Sequence, residues 1–197
     1  MQQSNRIILT DVDGVMLDWA DHFSKWMKQQ GFFEIEGAEK IYSMHERYGI
    51  SIEQKEKLVR EFNNSAWMRN QPAMPDCEKW VKLLYAEGWT FIPITSQTLD
   101  IPAQELRKSR LKEIFGEKVF VNFIILDTGS HKDEALKEFT NTGLWWIEDK
   151  FSNAKQGLEY GLKPLLYNHS YNQGFDHPMI SRVNNWKHIY EIINEKQ

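Results

Sequence analysis

The stretch RIILTDVDGVMLDW, residues 6–19, sets a short apolar run against two aspartates one residue apart and a glycine. The run is β-branched and leucine-rich, which predicts a buried strand over residues 6–11. A carboxylate at the end of a buried strand is costly to desolvate unless something pairs with it. Taken alone, Asp11-Val-Asp13-Gly14 also reads as a tight turn that closes a strand. The rest of the chain decides between a turn and a site.

After this stretch the pattern turns helical. Trp19, Phe23, Trp26 and Met27 recur at helical spacing in DWADHFSKWMKQQG, and Gly31 is the stop signal. AEKIYSMHERYG (38–49) predicts a second helix, and SIEQ offers Ser51 and Gln54 as a capping box for a third. No strand pattern interrupts residues 18–66. Beyond the hinge-like QPAMPD (71–76) the pattern alternates: a helix over 76–87, the strand TFIPITS (90–96), a helix over 102–115, the strand VFVNFIIL (119–126) and the helix HKDEALKEF (131–139). Then come the strand LWWIED (144–149), the helix SNAKQGLEYG (152–161), the strand KPLLYN (163–168), a polar loop and the helix WKHIYEIINEK (186–196). Strands that alternate with helices predict an α/β fold around a parallel sheet of about five strands, with helices on both faces. The expected division is a core of residues 1–17 and 73–197, with a helical unit of residues 18–72 inserted.

Composition bounds the possibilities. The 197 residues suit one medium domain with a small insertion, and 41% hydrophobic content suffices for a core. The net charge of −4 argues against a stable nucleic-acid partner. Cys77 is the sole cysteine, so no internal disulfide can form, which fits a reducing, cytoplasmic setting. The apolar run near the start is too short for a secretory signal, and no stretch approaches the roughly 18 apolar residues of a membrane span.

The polar residues fall in a pattern. Asp11 and Asp13 end the first strand, Thr95 and Ser96 the second, and Glu148 and Asp149 the fourth, while Lys132 opens the helix after the third. Ligands of open α/β sheets bind outside the carboxyl ends of the strands, so these segments converge on one edge. Asp11, Asp13 and Asp149 make an oxygen-rich cluster suited to Mg²⁺, which takes a few carboxylates, water and substrate phosphate. Lys132 would offset their charge and hold a phosphate, and Thr95 could donate to a phosphoryl oxygen. With the anion neutralised, one carboxylate can attack phosphorus and a second can move the proton.

At this point the chain resembles the haloacid dehalogenase superfamily of phosphotransferases. DVDGV is similar to its first motif, FIPITS to its second, Lys132 in SHKDEAL to its third and WWIEDKFSNA to its fourth, in the right order. The resemblance implies a Rossmann-like core with a C1-type helical cap. It implies Asp11 as nucleophile, Asp13 as general acid/base with its main-chain carbonyl also on Mg²⁺, Thr95 and Lys132 on phosphate with Ser96 sharing that role, and Asp149 on the metal. Within the superfamily, DVDGVMLDW, ITSQ, the Tyr171-Asn172 pair of LLYNHSYNQ and RVNNWKHIYEII resemble the 5′(3′)-deoxyribonucleotidases. That resemblance implies a nucleoside monophosphate as substrate. Glu148 stands where those enzymes usually have Asp, and Asn153 where many relatives have another Asp; both are expected behind the metal ligands.

Other readings stay open beside this one. A sugar-phosphate phosphatase or mutase, a 3′-phosphatase for nucleic-acid ends, and a binding protein without chemistry share the same motifs, and a homodimer is also open. The Trp19, Phe23, Trp26 stripe reads first as core, with Trp19 as the pocket candidate because it follows the catalytic turn. His22, His45 and His169 lack the mutual spacing of metal ligands and are expected at the surface. Cys77 lies near a helix start but has no apparent partner for nucleophilic chemistry.

Overall fold

The computed structural model describes residues 6–195. The first five residues, on which the secretory-signal reading partly rests, and the last two, including Lys196 of the expected final helix, lie outside the described residues. Six strands form one parallel sheet: β1 (Ile7–Thr10), β2 (Thr90–Ser96), β3 (Ile124–Leu126), β4 (Trp145–Glu148), β5 (Lys163–Tyr167) and β6 (Ser181–Val183), in the order β3-β2-β1-β4-β5-β6. The order reverses between β1 and β4. A crevice opens at such a switch point because the connections leave it in opposite directions. Asp11, one residue past β1, and Asp149, one residue past β4, stand on its two lips, and the Asp11 amide donates to the Ile147 carbonyl at 2.8 Å.

The strands are buried on both faces, as parallel sheets require. Ile8, Phe91, Trp145 and Leu165 point to one side. There they meet helices α4 (Cys77–Ala86), α5 (Ile101–Phe115) and α8 (Trp186–Glu195) through Val81, Leu111 and Trp186. Their neighbours Leu9, Ile92 and Trp146 face α6 (Asp133–Lys137) through Ala135 and Leu136. On that side Leu166 of β5 packs with Ala154 of α7 (Phe151–Glu159).

Between β1 and β2 the chain builds a helical layer with its own apolar centre. It contains α1 (Trp19–Gln29), α2 (Met44–Tyr48), α3 (Ile52–Asn63) and two 3-10 turns, Ala38–Lys40 and Ala66–Asn70. Phe23, Trp26, Met27, Leu58, Phe62 and Met68 fill that centre, and Leu106 of α5 packs against it. The aromatic stripe is therefore core, with Trp19 and Phe23 stacked at 4.5 Å. The entering and leaving chains run side by side: Asp18 N–H donates to the Pro72 carbonyl and Met74 N–H to the Met16 carbonyl, both at 2.9 Å.

Three expectations change. The expected helix over 38–49 is broken into Ala38–Lys40 and α2, because the chain between them is extended at Ile41 and Ser43. The run 119–126 pairs as a strand over Ile124–Leu126, plus an isolated bridge at Phe120. The polar loop after β5 contains β6, whose three residues Ser181, Arg182 and Val183 carry too little apolar pattern to announce a strand. The SIEQ box is half made, since Ser51 Oγ accepts from Gln54 N–H at 3.1 Å.

Gly157 lets α7 lie directly on the sheet. A Cβ there would collide with Trp146 Cδ1, and Trp146 is fully buried. Alanine is the better helix former by about 1 kcal/mol, but overpacking of this kind costs about 1–3 kcal/mol. Gly157→Ala should therefore lower Tm by a few degrees in a thermal melt, and a rise in Tm would show that α7 has room to spare.

Candidate active site

The turn after β1 is tightly made. Val12 N–H donates to Asp11 Oδ1 at 2.6 Å, the amides of Met16 and Leu17 donate to the Val12 carbonyl, and Gly14 N–H donates to the Leu17 carbonyl. Gly14 has φ of +77°, and a Cβ on it would lie 2.6 Å from Asp149 Oδ2. Both the backbone angle and the space demand glycine here. This close approach brings the β1 turn against the end of β4.

Lys132, the residue before α6, is buried and joins the two sides. Its ammonium lies 2.6 Å from Asp11 Oδ2 and 2.9 Å from Glu148 Oε2, and 5.3 Å over the Trp146 ring. Burial alone would lower its pKa, but the Asp11 and Glu148 carboxylates outweigh that and raise it. Glu148 is fully engaged. Its Oε1 accepts from the amides of Asp149 and Lys150, and its Oε2 from Lys132 and Asn153 Nδ2. Burial pushes its pKa up, but Lys132 and these donors more than cancel that and bring it to about 2.

Asp11, Glu148 and Asp149 bring one carboxylate oxygen each within 4.8 Å of one another. Burial, then the neighbouring carboxylates, raise the pKa values of Asp11 and Asp149 well above the usual carboxylate range. Three buried carboxylates against one lysine leave surplus negative charge, so the donor set fits a hard divalent cation. Glu148 has no oxygen lone pair left to give, because a carboxylate accepts about four hydrogen bonds. Asp11 and Asp149 are thus the side chains free to hold a cation, with Glu148 orienting them from behind.

The other expected site residues fall as follows. Asp13 lines the same cavity, but its Oδ1 accepts from Arg107 Nη1 at 2.7 Å and Gln71 Nε2 at 3.2 Å, so its carboxylate is turned away from the acidic cluster. Any contribution to a metal would come from its main-chain carbonyl. Thr95 is buried, and its hydroxyl has no partner among the described residues. Ser96 lies on the cavity wall and donates to the Ser130 carbonyl at 2.8 Å. Asn153 lines the cavity behind Glu148, and Trp19 lies at its wall while donating to Asn63 Oδ1 at 3.0 Å.

The cavity is about 1020 Å³ and lies between the sheet edge and the helical layer, which contributes Tyr42, Lys55, Val59 and Arg60. Several residues that touch the site carried no signal in the sequence. Arg107 is one; it is fully buried seven residues into the solvent-facing pattern of α5. Tyr171, quoted only within a resemblance, donates to Asp149 Oδ2. Two histidines expected at the surface are not there. His22 is buried in the helical layer with Nε2 at 2.9 Å from the Trp67 carbonyl, and His169 lines the cavity, stacks on Tyr171 and lies 2.7 Å from the Gly14 carbonyl. His169 and Tyr171 stand after β5 in a stretch that no periodicity encodes, whereas His22 lies on α1 at helical spacing from the buried Trp26. Cys77 is fully buried, and burial pushes its thiol pKa up, so it is inert.

A pH dependence follows. Groups with raised carboxyl pKa stabilise the fold below the unfolded value of about 4 and lose that contribution as pH rises through the folded value. The cation-free protein should therefore lose stability at this cluster as pH rises above the unfolded carboxylate range. Millimolar Mg²⁺ should raise Tm by several degrees at pH 8, much less at pH 5, and hardly at all in Asp149→Asn. A Mg²⁺ shift equal at both pH values, or retained in Asp149→Asn, would contradict this assignment.

Comparison with known proteins bears on the fold. No family model matches the sequence, and no curated protein matches it. Among solved structures, a predicted phosphatase from Clostridium acetobutylicum superposes with a TM-score of 0.69 at 17% identity, over 96% of this chain and 98% of that one. A haloacid dehalogenase-like hydrolase from Streptococcus pneumoniae gives 0.69 at 14% identity over the whole of both chains. The D,D-heptose 1,7-bisphosphate phosphatase of B. bronchiseptica, solved with magnesium and phosphate, gives 0.63 at 12% identity over 97% and 99%. The chain has the fold of the haloacid dehalogenase-like hydrolases.

Proposed function

We propose that the protein is a Mg²⁺-dependent phosphomonoesterase of the haloacid dehalogenase superfamily. The observation that carries this reading is the Asp11–Lys132–Glu148 ion network beside Asp149, at the switch point of the sheet. The bound cation would supply charge neutralisation that lets an anionic nucleophile approach a phosphate. Asp11 attacks phosphorus and forms an aspartyl-phosphate, and Lys132 holds the phosphoryl oxygens as a point charge. The unpartnered Thr95 hydroxyl supplies a donor. Asp13 gives a proton to the leaving oxygen and then takes one from the hydrolytic water.

Residues 18–72 would serve as the cap. Their helices contact the core on two sides: Arg60 forks onto Asp127 at 2.8 and 3.4 Å, and Asn63 Nδ2 donates to the Gln97 carbonyl at 3.0 Å. On the other side Tyr42 meets Tyr171 edge-on at 5.3 Å. A nucleoside monophosphate is the preferred substrate, since Trp19, Tyr42 and Tyr171 give the cavity aromatic walls for a flat base. The second reading is a sugar phosphate or bisphosphate. It is favoured by Lys55 on the cap side of the cavity, which suits a second anionic group. The heptose bisphosphate phosphatase shares this fold. A mutase would form an isomer without net release of phosphate.

The test is phosphate release from a panel of nucleoside monophosphates, sugar monophosphates and sugar bisphosphates, with and without Mg²⁺. Turnover should require Mg²⁺ and fall on the order of 10³-fold or more in Asp11→Asn. Full activity in Asp11→Asn would overturn the mechanism. Preference for sugar bisphosphates over nucleotides would select the second reading.

A further inference from the structure

Arg107 has no solvent exposure and carries a charge that must be compensated inside the protein. Among the described residues its one carboxylate partner is Asp13, at 2.7 Å from Nη1. Its Nη2 faces Met68 Sδ at 3.3 Å, and its Nε has no partner among the described residues. A guanidinium buried for stability alone would have most of its donors satisfied. This one has a single strong bond, directed at the residue that must move the proton.

The same Asp13 oxygen also accepts from Gln71 Nε2 at 3.2 Å. Gln71 begins the segment that returns from the helical layer to the core, and its carbonyl accepts from Arg110 Nε at 2.7 Å. Arg107 and Arg110 lie one turn apart on α5, so one helix face holds both Asp13 and the returning chain. With two N–H donors on Oδ1, a proton carried by Asp13 is confined to Oδ2.

We propose that Arg107, aided by Gln71, is a positioning residue that fixes the Asp13 carboxyl so that Oδ2 is the oxygen that serves the leaving group. The proposal rests on the phosphomonoesterase reading above. In that step Asp11 forms a bond to phosphorus, the ester P–O bond breaks, and the departing oxygen receives the Oδ2 proton. Asp13 is left as a carboxylate held by Arg107 and Gln71, ready to accept a proton from water.

The leaving group provides the test, because a nitrophenolate departs without a proton whereas an alkoxide needs one. The quantity to follow is kcat/KM, which reports ester cleavage and not hydrolysis of the intermediate. Arg107→Met should lower kcat/KM for an alkyl monophosphate by about 10²-fold, the lower end of general-acid contributions, and for p-nitrophenyl phosphate by less than about 5-fold on the same reasoning. Gln71→Met should shift the same ratio in the same direction by less. In an Asp13→Asn background, Arg107→Met should leave the ratio unchanged. Should Arg107→Met fail to fold, Arg107→Lys, which keeps the charge but loses the fork, replaces it and should give an intermediate ratio. Equal losses on both substrates in Arg107→Lys and Gln71→Met, or a shift in ratio that persists in Asp13→Asn, overturn the positioning role while leaving the phosphatase reading intact. A wild-type protein that cleaves neither ester overturns both.

Discussion

One buried ammonium holds the site together. Lys132 spans 2.6 Å to Asp11 and 2.9 Å to Glu148, and so ties the turn after β1 to the end of β4 across the switch point. Removing one member of such a pair leaves an uncompensated buried charge, worth about 3–5 kcal/mol. The fold is arranged to keep the trio in place. Trp146 lies beneath Lys132, Gly157 lets α7 press on Trp146, and Asn153 at the start of α7 donates to Glu148. Packing of the sheet and geometry of the site are therefore one structure.

The acids divide by what surrounds them. Glu148 is saturated by four donors and held ionised. Asp11 and Asp149 retain free lone pairs in the same buried space, where burial and mutual repulsion disfavour their charged forms. Asp13 is taken out of this cluster by Arg107 and Gln71. Two aspartates one residue apart thus occupy different electrostatic settings, which is what separate roles as nucleophile and proton carrier require.

Much of this was legible in the sequence because it is local. Apolar runs gave β1, β2, β4 and β5, and the acids and hydroxyl residues at their ends fell where parallel strands must bring them together. Lys132 was found because it opens a helix after a strand. The missed parts depend on distance along the chain. Arg107 meets Asp13 across 94 positions, and Gln71 meets it across 58. Tyr171 reaches Asp149 from a loop after β5, and β6 is held by pairing to β5 and not by its own composition. A helix with charged residues all round, such as α5, hides a buried arginine because its pattern resembles a solvated surface.

The central claim is that Asp11 becomes covalently phosphorylated. The most direct measurement is mass spectrometry of the peptide spanning residues 6–19 after rapid acid quench of the enzyme turning over its best substrate with Mg²⁺. The account predicts one added phosphoryl group, located on Asp11 and absent in Asp11→Asn. Turnover with no phosphoryl group on Asp11, or with the group on another residue, would contradict it.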